Sequence, residues 1–432
     1  MSSPVRPTAF IEMATGHNRG SGALHGLVAD CTLAFRNVFR QGHRSTGALI
    51  AVVFGVTAYL LAAGFIEWTL WGMREETIGS RIGHLQVARK GYFELGAANP
   101  WDYLIPPDAN VEPLLRGNPK VREVAPRLAF TGLVSHGETT ISFLGEGVDP
   151  AAERKLMRLL QIVEGQGLDA AEPAGVIMGR GLATNLDAHV GDTIVMLAGT
   201  RSGGMNGVEA RVRGIFSTSS KNYDDYTLRA SLGLAEKLLR TTGAHKWVIV
   251  LDDTESTDEV LHDLRPRLAA AGLEILPWTR FADFYNKTVT LFERQVDAVK
   301  LIIAIIIVLG ISNALMMAVL ERTTEIGTSL ALGAKRFHIL RRFVAEGLLI
   351  GLAGGLLGVV LGVALAAVIS YIGIPMPAAP GMAKGYVAEV RVSWPLAADA
   401  VLLALATAFV ASLYPASKGA RLSIVDALRR GR

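Results

Sequence analysis

The patterns that would perform covalent chemistry are missing from this chain of 432 residues, and that narrows what it can be. No Gly-Lys-Ser or Gly-Lys-Thr occurs, so nothing can cradle a nucleoside triphosphate with backbone amides and a lysine. No Gly-x-Ser-x-Gly turn presents a nucleophilic serine. His84, His136, His189, His245 and His262 are dispersed, without the His-x3-His or Glu-x-x-His pairing that holds a metal ion. Asp224 and Asp225, set between Tyr223 and Tyr226, read as an acidic-aromatic loop tip rather than an acid–base pair. Cys31 is the single cysteine, which excludes an internal disulfide framework. No lipidation pattern precedes it, and it reads as an apolar filler. What remains is suited to mechanical work: a short, charged, helix-prone segment from Glu321 to Lys335, set between long uncharged runs.

Those runs define the elements that must position it. The chain is 50% hydrophobic and 19% charged, whereas soluble domains carry about 25% charged residues. Four stretches can span a bilayer, at 45–70, 294–320, 347–372 and 396–416. Within the second, the uncharged run Leu301–Leu320 holds a dozen Leu, Ile and Val, each favouring insertion by ~0.3–0.6 kcal/mol, which outweighs Ser312 and Asn313. Lys and Arg collect on cytoplasmic flanks. They gather before the first span (Arg36, Arg40, Arg44), between the second and third (Arg322, Lys335, Arg336, Arg341, Arg342) and after the fourth (Lys418, Arg421, Arg429, Arg430, Arg432). The connection between spans three and four has only Lys384 and Arg391. The expected topology places 1–44, 321–346 and 417–432 in the cytoplasm, and 71–293 and the proline-rich hairpin 373–395 outside. The first thirty residues lack the apolar core of a signal peptide, and 27–39 is expected to form an interfacial helix.

The fold class expected is a membrane α-helical protein of four transmembrane helices, with a large mixed α/β extracytoplasmic domain between helices 1 and 2. Strands are expected near 82–87, 139–144, 192–198, 209–216 and 247–251. A helix over 258–271 followed by a strand at 273–276 completes a β-α-β unit, and 283–297 continues as a helical stalk into span two.

Within 321–336, Thr323 and Thr324 are expected to cap a short helix that Gly333 stops. Ile326, Leu330 and Gly333 fall at i, i+4 and i+7, a small apolar stripe. On lipid headgroups such a stripe would simply rest; against a protein groove it would dock. In span three, Gly347, Gly351 and Gly355 form one stripe and Gly354, Gly358 and Gly362 a neighbouring one, spacings that let helix backbones approach closely. Asn313 is expected to hydrogen-bond across helices.

The segment Glu321-Arg-Thr-Thr-Glu-Ile-Gly-Thr-Ser-Leu-Ala-Leu-Gly-Ala-Lys335 resembles the coupling segment of FtsX-like ABC-transporter permeases, the family of the MacB and LolC/LolE proteins. Tyr414-Pro415-Ala, then Ala420-Arg421-Leu and Asp426-Ala427-Leu428, resembles that family's closing signature. The resemblance implies that Glu321, Arg322, Glu325, Ile326, Leu330, Leu332, Gly333, Lys335 and Arg336 meet an ABC ATPase subunit. ATP and Mg would be bound by that separate chain and no cofactor by this non-catalytic one. It also implies a second permease copy or paralogue, a periplasmic carrier or adaptor, membrane lipids as surroundings, no nucleic acid, and a bacterial inner-membrane location with the large domain in the periplasm. Function would be extraction or export of a lipoprotein, lipid or other hydrophobic cargo. Alternatives are a regulatory permease that activates a cell-wall hydrolase, MacB-type efflux of drugs or peptides, or an external domain with its own activity.

Overall fold

The computed structural model describes residues 42–218, 220–377 and 385–423. The interfacial helix expected at 27–39, Cys31, Arg36, Arg40, Lys384, Asp426, Ala427, Leu428, Arg429, Arg430 and Arg432 lie outside them. Contacts divide the chain into a helical unit (residues up to 64, 295–368 and from 391) and an α/β unit (65–294 and 369–390).

The principal helices are α1 (Gly42–Thr77), α2 (Asp283–Glu321), α3 (Thr323–Ala331), α4 (Arg336–Ile372) and α5 (Trp394–Ala420). All but α3 are long and apolar enough to cross a membrane. With 39 residues, α2 is about 58 Å long, nearly twice the hydrocarbon thickness. Each long helix turns branched or small apolar residues inward at four-residue spacing: Val52, Val56 and Leu60 on α1, Ile303, Ile307 and Ile311 on α2, and Ala400, Ala404 and Ala408 on α5.

The glycines of α4 divide between two neighbours. A β-carbon on Gly354 or Gly358 would lie 2.7 Å from that of Val52 or Val56 on α1. One on Gly351 would lie 2.5 Å from Ala408 Cβ on α5. Both stripes are therefore contact surfaces, each fitted to a different helix, and the absent side chains allow the close approach that substitutes for a hydrophobic drive in lipid. Asn313 departs from expectation. It is exposed on α2 and makes no hydrogen bond among the described residues, because Ile311 and Leu315 occupy the inward face. Tyr59 donates to Asp399 Oδ2 at 2.5 Å and Lys300 Nζ approaches the same oxygen at 2.7 Å, which ties α1, α2 and α5 together.

The α/β unit has ten strands in one sheet: β1 (Leu85–Arg89), β2 (Val121–His136), β3 (Thr139–Val148), β4 (Gln161–Gly165), β5 (Gly175–Gly179), β6 (Thr193–Gly199), β7 (Met205–Ser217), β8 (Thr227–Ser231), β9 (Lys246–Leu251) and β10 (Leu273–Pro277). Pairings β2–β3, β3–β8, β8–β5, β5–β7, β7–β6 and β6–β2 close a ring around an apolar core that includes Leu128, Met178 and Val212. The first half of the 16-residue β2 leaves the ring to pair with β9. Strand β1 lies between β9 and β10, antiparallel to both. The expected β-α-β unit is thus split: helix Thr257–Ala270 connects two strands separated by β1. The short pair β11 (Ile374–Met376) and β12 (Tyr386–Ala388) forms the hairpin between α4 and α5.

After α1 the chain makes a π-helical turn, Ile78–Ile82, which delays the expected strand at 82–87 by three residues. Two buried guanidiniums hold this turn. Arg127 on β2 donates to the carbonyl of Arg81 at 2.8 Å, and Arg229 on β8 to that of Ser80 at 3.2 Å. Glu153, on helix Pro150–Leu156, bridges them, accepting from Arg127 at 3.0 and 3.1 Å and from Arg229 at 2.8 Å. Glu146 joins the cluster through Arg127, Lys246 and Tyr223. Burial alone would raise its carboxyl, but Arg127, Lys246 and Arg229 hold it well below the usual carboxylate range. Burial pushes the Tyr223 phenol up to about 12, so it donates to Glu146 while accepting from Arg229 at 3.0 Å.

The neighbouring acidic pair was expected on a surface tip. Asp224 is instead 2% exposed, on helix Lys221–Tyr226, where its carboxylate accepts from the Thr218 amide and hydroxyl and from Ser217 Oγ. Those donors offset its burial only in part, and burial still holds the carboxyl above its ordinary range.

His84 is 5% exposed. Its Nδ1 accepts the Leu251 amide at 3.1 Å, so the proton sits on Nε2 and points to Thr254 Oγ1 at 3.0 Å, which in turn donates to Glu75. Burial, then the nearby Arg122, lowers its pKa from 6.5 to about 4. The folded state therefore binds this proton less tightly than the unfolded chain. The stability it contributes is full above pH ~6.5 and is lost as pH falls through ~4, reaching ~2 kcal/mol by pH 5. Hydrogen exchange at the Leu251 amide, corrected for intrinsic rate, should show weaker protection at pH 5 than at pH 7.5, and His84→Gln should flatten that slope. Equal protection at both pH values in the parent chain would contradict it.

Candidate functional site

The coupling segment is built on the end of α2. Thr323 Oγ1 donates to the carbonyls of Val319 and Leu320 at 3.0 and 2.8 Å, so its hydroxyl finishes the preceding helix instead of capping α3. No side chain caps α3 at Arg322, which corrects the expected Thr323/Thr324 cap. At the other end Gly333 adopts φ +93°, a left-handed conformation that glycine takes without a steric cost. The amides of Gly333 and Ala334 close on Leu330 and Ser329, and α4 begins three residues later at Arg336.

The expected apolar stripe faces inward. Ile326 is 7% exposed and Leu330 is half-buried, both packed into the core of the helical unit. A one-turn-apart apolar pair on a nine-residue helix is what anchors it, so neither residue is available for docking. The exposed face carries Glu321, Thr324, Glu325 and Thr328, followed by Leu332 at 89% exposure, Gly333, Lys335, Arg336 and Phe337 at 66%. Leu332 and Phe337 thus stand exposed beside two cations and a carboxylate. Phe337 was not singled out in the sequence. Its helical phase, two residues before the buried Ile339, would have placed it on the outer side.

An ion pair roots the segment. Arg322 Nη1 donates to Glu346 Oε2 at 3.3 Å, with side chains 11% and 3% exposed. Glu346 was also overlooked, although it is the only acidic residue on α4 and directly precedes the glycine stripes. The C-terminal signature lies beside this root. Helix α5 continues through Pro415 to Ala420, with Pro415, Ala416, Gly419 and Ala420 buried and Tyr414 and Arg421 exposed. A β-carbon on Gly419 would stand 3.3 Å from Val319 Cγ2 and 3.5 Å from Phe343 Cε2. The structure therefore brings the end of α2, the start of α4 and the end of α5 together around α3, two motifs far apart in sequence. Asn313 and the glycine stripes belong to helix surfaces further along and not to this site.

Four hydrophobic helices, an α/β unit inserted after the first and a short exposed helix after the second define a membrane permease. Residues 45–267 match the MacB-like periplasmic core domain, more than half of the chain, and residues 298–424 match the FtsX-like permease C-terminal region. The chain is 28% identical over 280 residues to an uncharacterised ABC transporter permease of Methanocaldococcus jannaschii, covering 62% of this chain and 65% of the relative. It is 27% identical over 352 residues to the lipoprotein-releasing system transmembrane protein LolE of Haemophilus influenzae, covering 77% and 83%. LolC of Xylella fastidiosa is 24% identical over 405 residues, covering 89% and 93%. The chain belongs to the ABC transporter permeases of the MacB, LolC/LolE and FtsX type.

Proposed function

We propose that this chain is the non-catalytic permease subunit of an ABC transporter. It couples ATP hydrolysis on a separate ATPase subunit to conformational change in the α/β unit, for extraction or export of a lipoprotein, lipid or other hydrophobic cargo. In this reading it sits in a bacterial inner membrane, with α3 at the cytoplasmic face and the α/β unit in the periplasm. The observation that carries it is the two-sided character of α3. Its apolar stripe and the Arg322–Glu346 pair fix it to the bundle, while Glu325, Leu332 and Phe337 are left free to meet a partner.

A second permease copy or paralogue completes the assembly. Asn313 supports this, because a polar amide on an exposed apolar face, next to Leu309 and Met317, is costly in hydrocarbon unless another chain satisfies it. The lipoprotein reading is supported by the LolC and LolE relatives, matched over most of their length.

The test is co-purification with the ATPase subunit. Leu332→Asp and Glu325→Lys alter only exposed positions and should each weaken association about tenfold, an ordinary hot-spot loss. Leu330→Asp, on the packed face, should instead lower the yield of folded protein. Wild-type association and ATP turnover with both exposed-face variants would remove α3 from the coupling role.

A further inference from the structure

The α/β unit contains a cavity of about 620 Å³ to which no part of the coupling site contributes. This volume lies in the range of small-molecule sites and far above the voids of a packed core. Six of its twenty lining residues are aromatic, against 7% of the chain: Tyr92, Phe93, Trp101, Phe130, Tyr223 and Phe281. The wall is ordered by ring contacts of its own, with Phe93 and Phe281 centroids 5.0 Å apart and Tyr92 stacked on His245 at 5.6 Å.

One end of the cavity is polar and has more donors than acceptors to satisfy them. Lys246 lines it and donates to Glu146 Oε1 at 3.2 Å, which uses one of three ammonium N–H groups. Thr227, also lining it, is 1% exposed, and its hydroxyl has no hydrogen-bond partner. The Nε of Arg127 is buried and likewise without a hydrogen bond, and that of Arg229 makes only a 3.5 Å ion-pair contact with Glu146 Oε2. Arg127, Arg229 and Lys246 face Glu146 and Glu153, three cationic groups to two carboxylates, with all five side chains at most 16% exposed. Unspent buried donors and surplus positive charge are the complement of an anionic group.

We propose that this cavity binds an amphipathic organic anion. An acyl or aromatic body lies along the ring wall, and a carboxylate or phosphate reaches Lys246 and Thr227. The site is independent of the coupling reading, since its ligand chemistry is set by residues of the α/β unit alone.

Photo-crosslinking on the full chain in lipid nanodiscs tests it, with two anionic probes, a diazirine-bearing palmitate and 4-benzoylbenzoate, and the uncharged diazirine-bearing alcohol of the same chain length as control. Adducts are expected on peptides carrying Trp101, Phe130 or Phe281, and unlabelled probe should compete for them. The palmitate arm reports an acyl body and the benzoylbenzoate arm an aromatic one. Lys246→Met should reduce cavity labelling by about tenfold, the worth of one charge-assisted hydrogen bond, and leave labelling by the uncharged diazirine alcohol unchanged. Gly199→Phe should abolish cavity labelling by every probe. Gly199 lines the cavity, and a β-carbon there would meet nothing within 4 Å, so the ring has room to enter without displacing backbone. Adducts confined to the membrane helices with both probes, or cavity labelling unaffected by both substitutions, would overturn the proposal.

Discussion

Glu153→Ala is expected to destabilise the α/β unit by ~3–5 kcal/mol, the cost of breaking a buried ion pair by removing one partner. Arg127 and Arg229 are 1% and 0% exposed and would each lose a carboxylate at 2.8–3.1 Å. Glu146 would remain, but it already serves Arg127, Lys246 and Tyr223. For a domain of this size such a loss lowers Tm by roughly 10 °C. Exchange should rise first in the π-helical turn at Ile78–Ile82, whose Ser80 and Arg81 carbonyls depend on the same guanidiniums. The exposed pair Arg267–Asp263, with side chains 53% and 37% exposed, supplies the contrast. Arg267→Ala should cost under ~0.5 kcal/mol, as surface pairs one turn apart on a helix do. A Tm within 2 °C of the parent in Glu153→Ala would show that burial of these charges does not organise the unit.

The parts of this architecture written most plainly in the sequence are those governed by one dominant energy. Uncharged runs long enough for a bilayer marked four helices, because hydrocarbon tolerates little else. The glycine stripes of α4 were legible for the same reason, since a four-residue repeat of small side chains has few uses other than close packing. Which helix each stripe meets was not legible, because that depends on where Val52 and Ala408 arrive from distant segments. In the α/β unit, β2, β4, β5 and β8 were missed altogether, and for β2 and β8 the reason is visible. Both carry a buried arginine in place of alternating apolar residues, and a charge that is satisfied only by tertiary partners reads as a surface residue in isolation. Asp224 was misread for the same reason. The inward turn of Ile326 and Leu330 was invisible to periodicity: an apolar stripe predicts that a helix has a covered side, and says nothing of whether the cover is its own bundle or another protein.

The pair Arg322–Glu346 should behave as one device, and its double-mutant cycle should be strongly non-additive. Arg322→Ala leaves Glu346, 3% exposed, without the guanidinium 3.3 Å away. Arg342, one turn earlier on α4 and with its Nε unpartnered, offers partial relief, so the cost belongs at the lower end, ~3 kcal/mol. Glu346→Ala strands the arginine instead and should cost a similar amount. Arg322→Ala with Glu346→Ala leaves neither charge buried without its partner, and the double variant should cost much less than the sum of the two single variants. Association with the ATPase should follow the same pattern: weakened in the single variants, in which α3 is no longer pinned to α4, and weakened little further in the double. The exposed residues of α3 are unchanged throughout, so any loss of association reports its position and not its docking chemistry. Thermal unfolding in nanodiscs and ATPase co-purification, measured on all four chains, decide the matter. Single-variant losses that simply add in the double would mean that Arg322 and Glu346 act separately, and that α3 is held to the bundle by its apolar stripe alone.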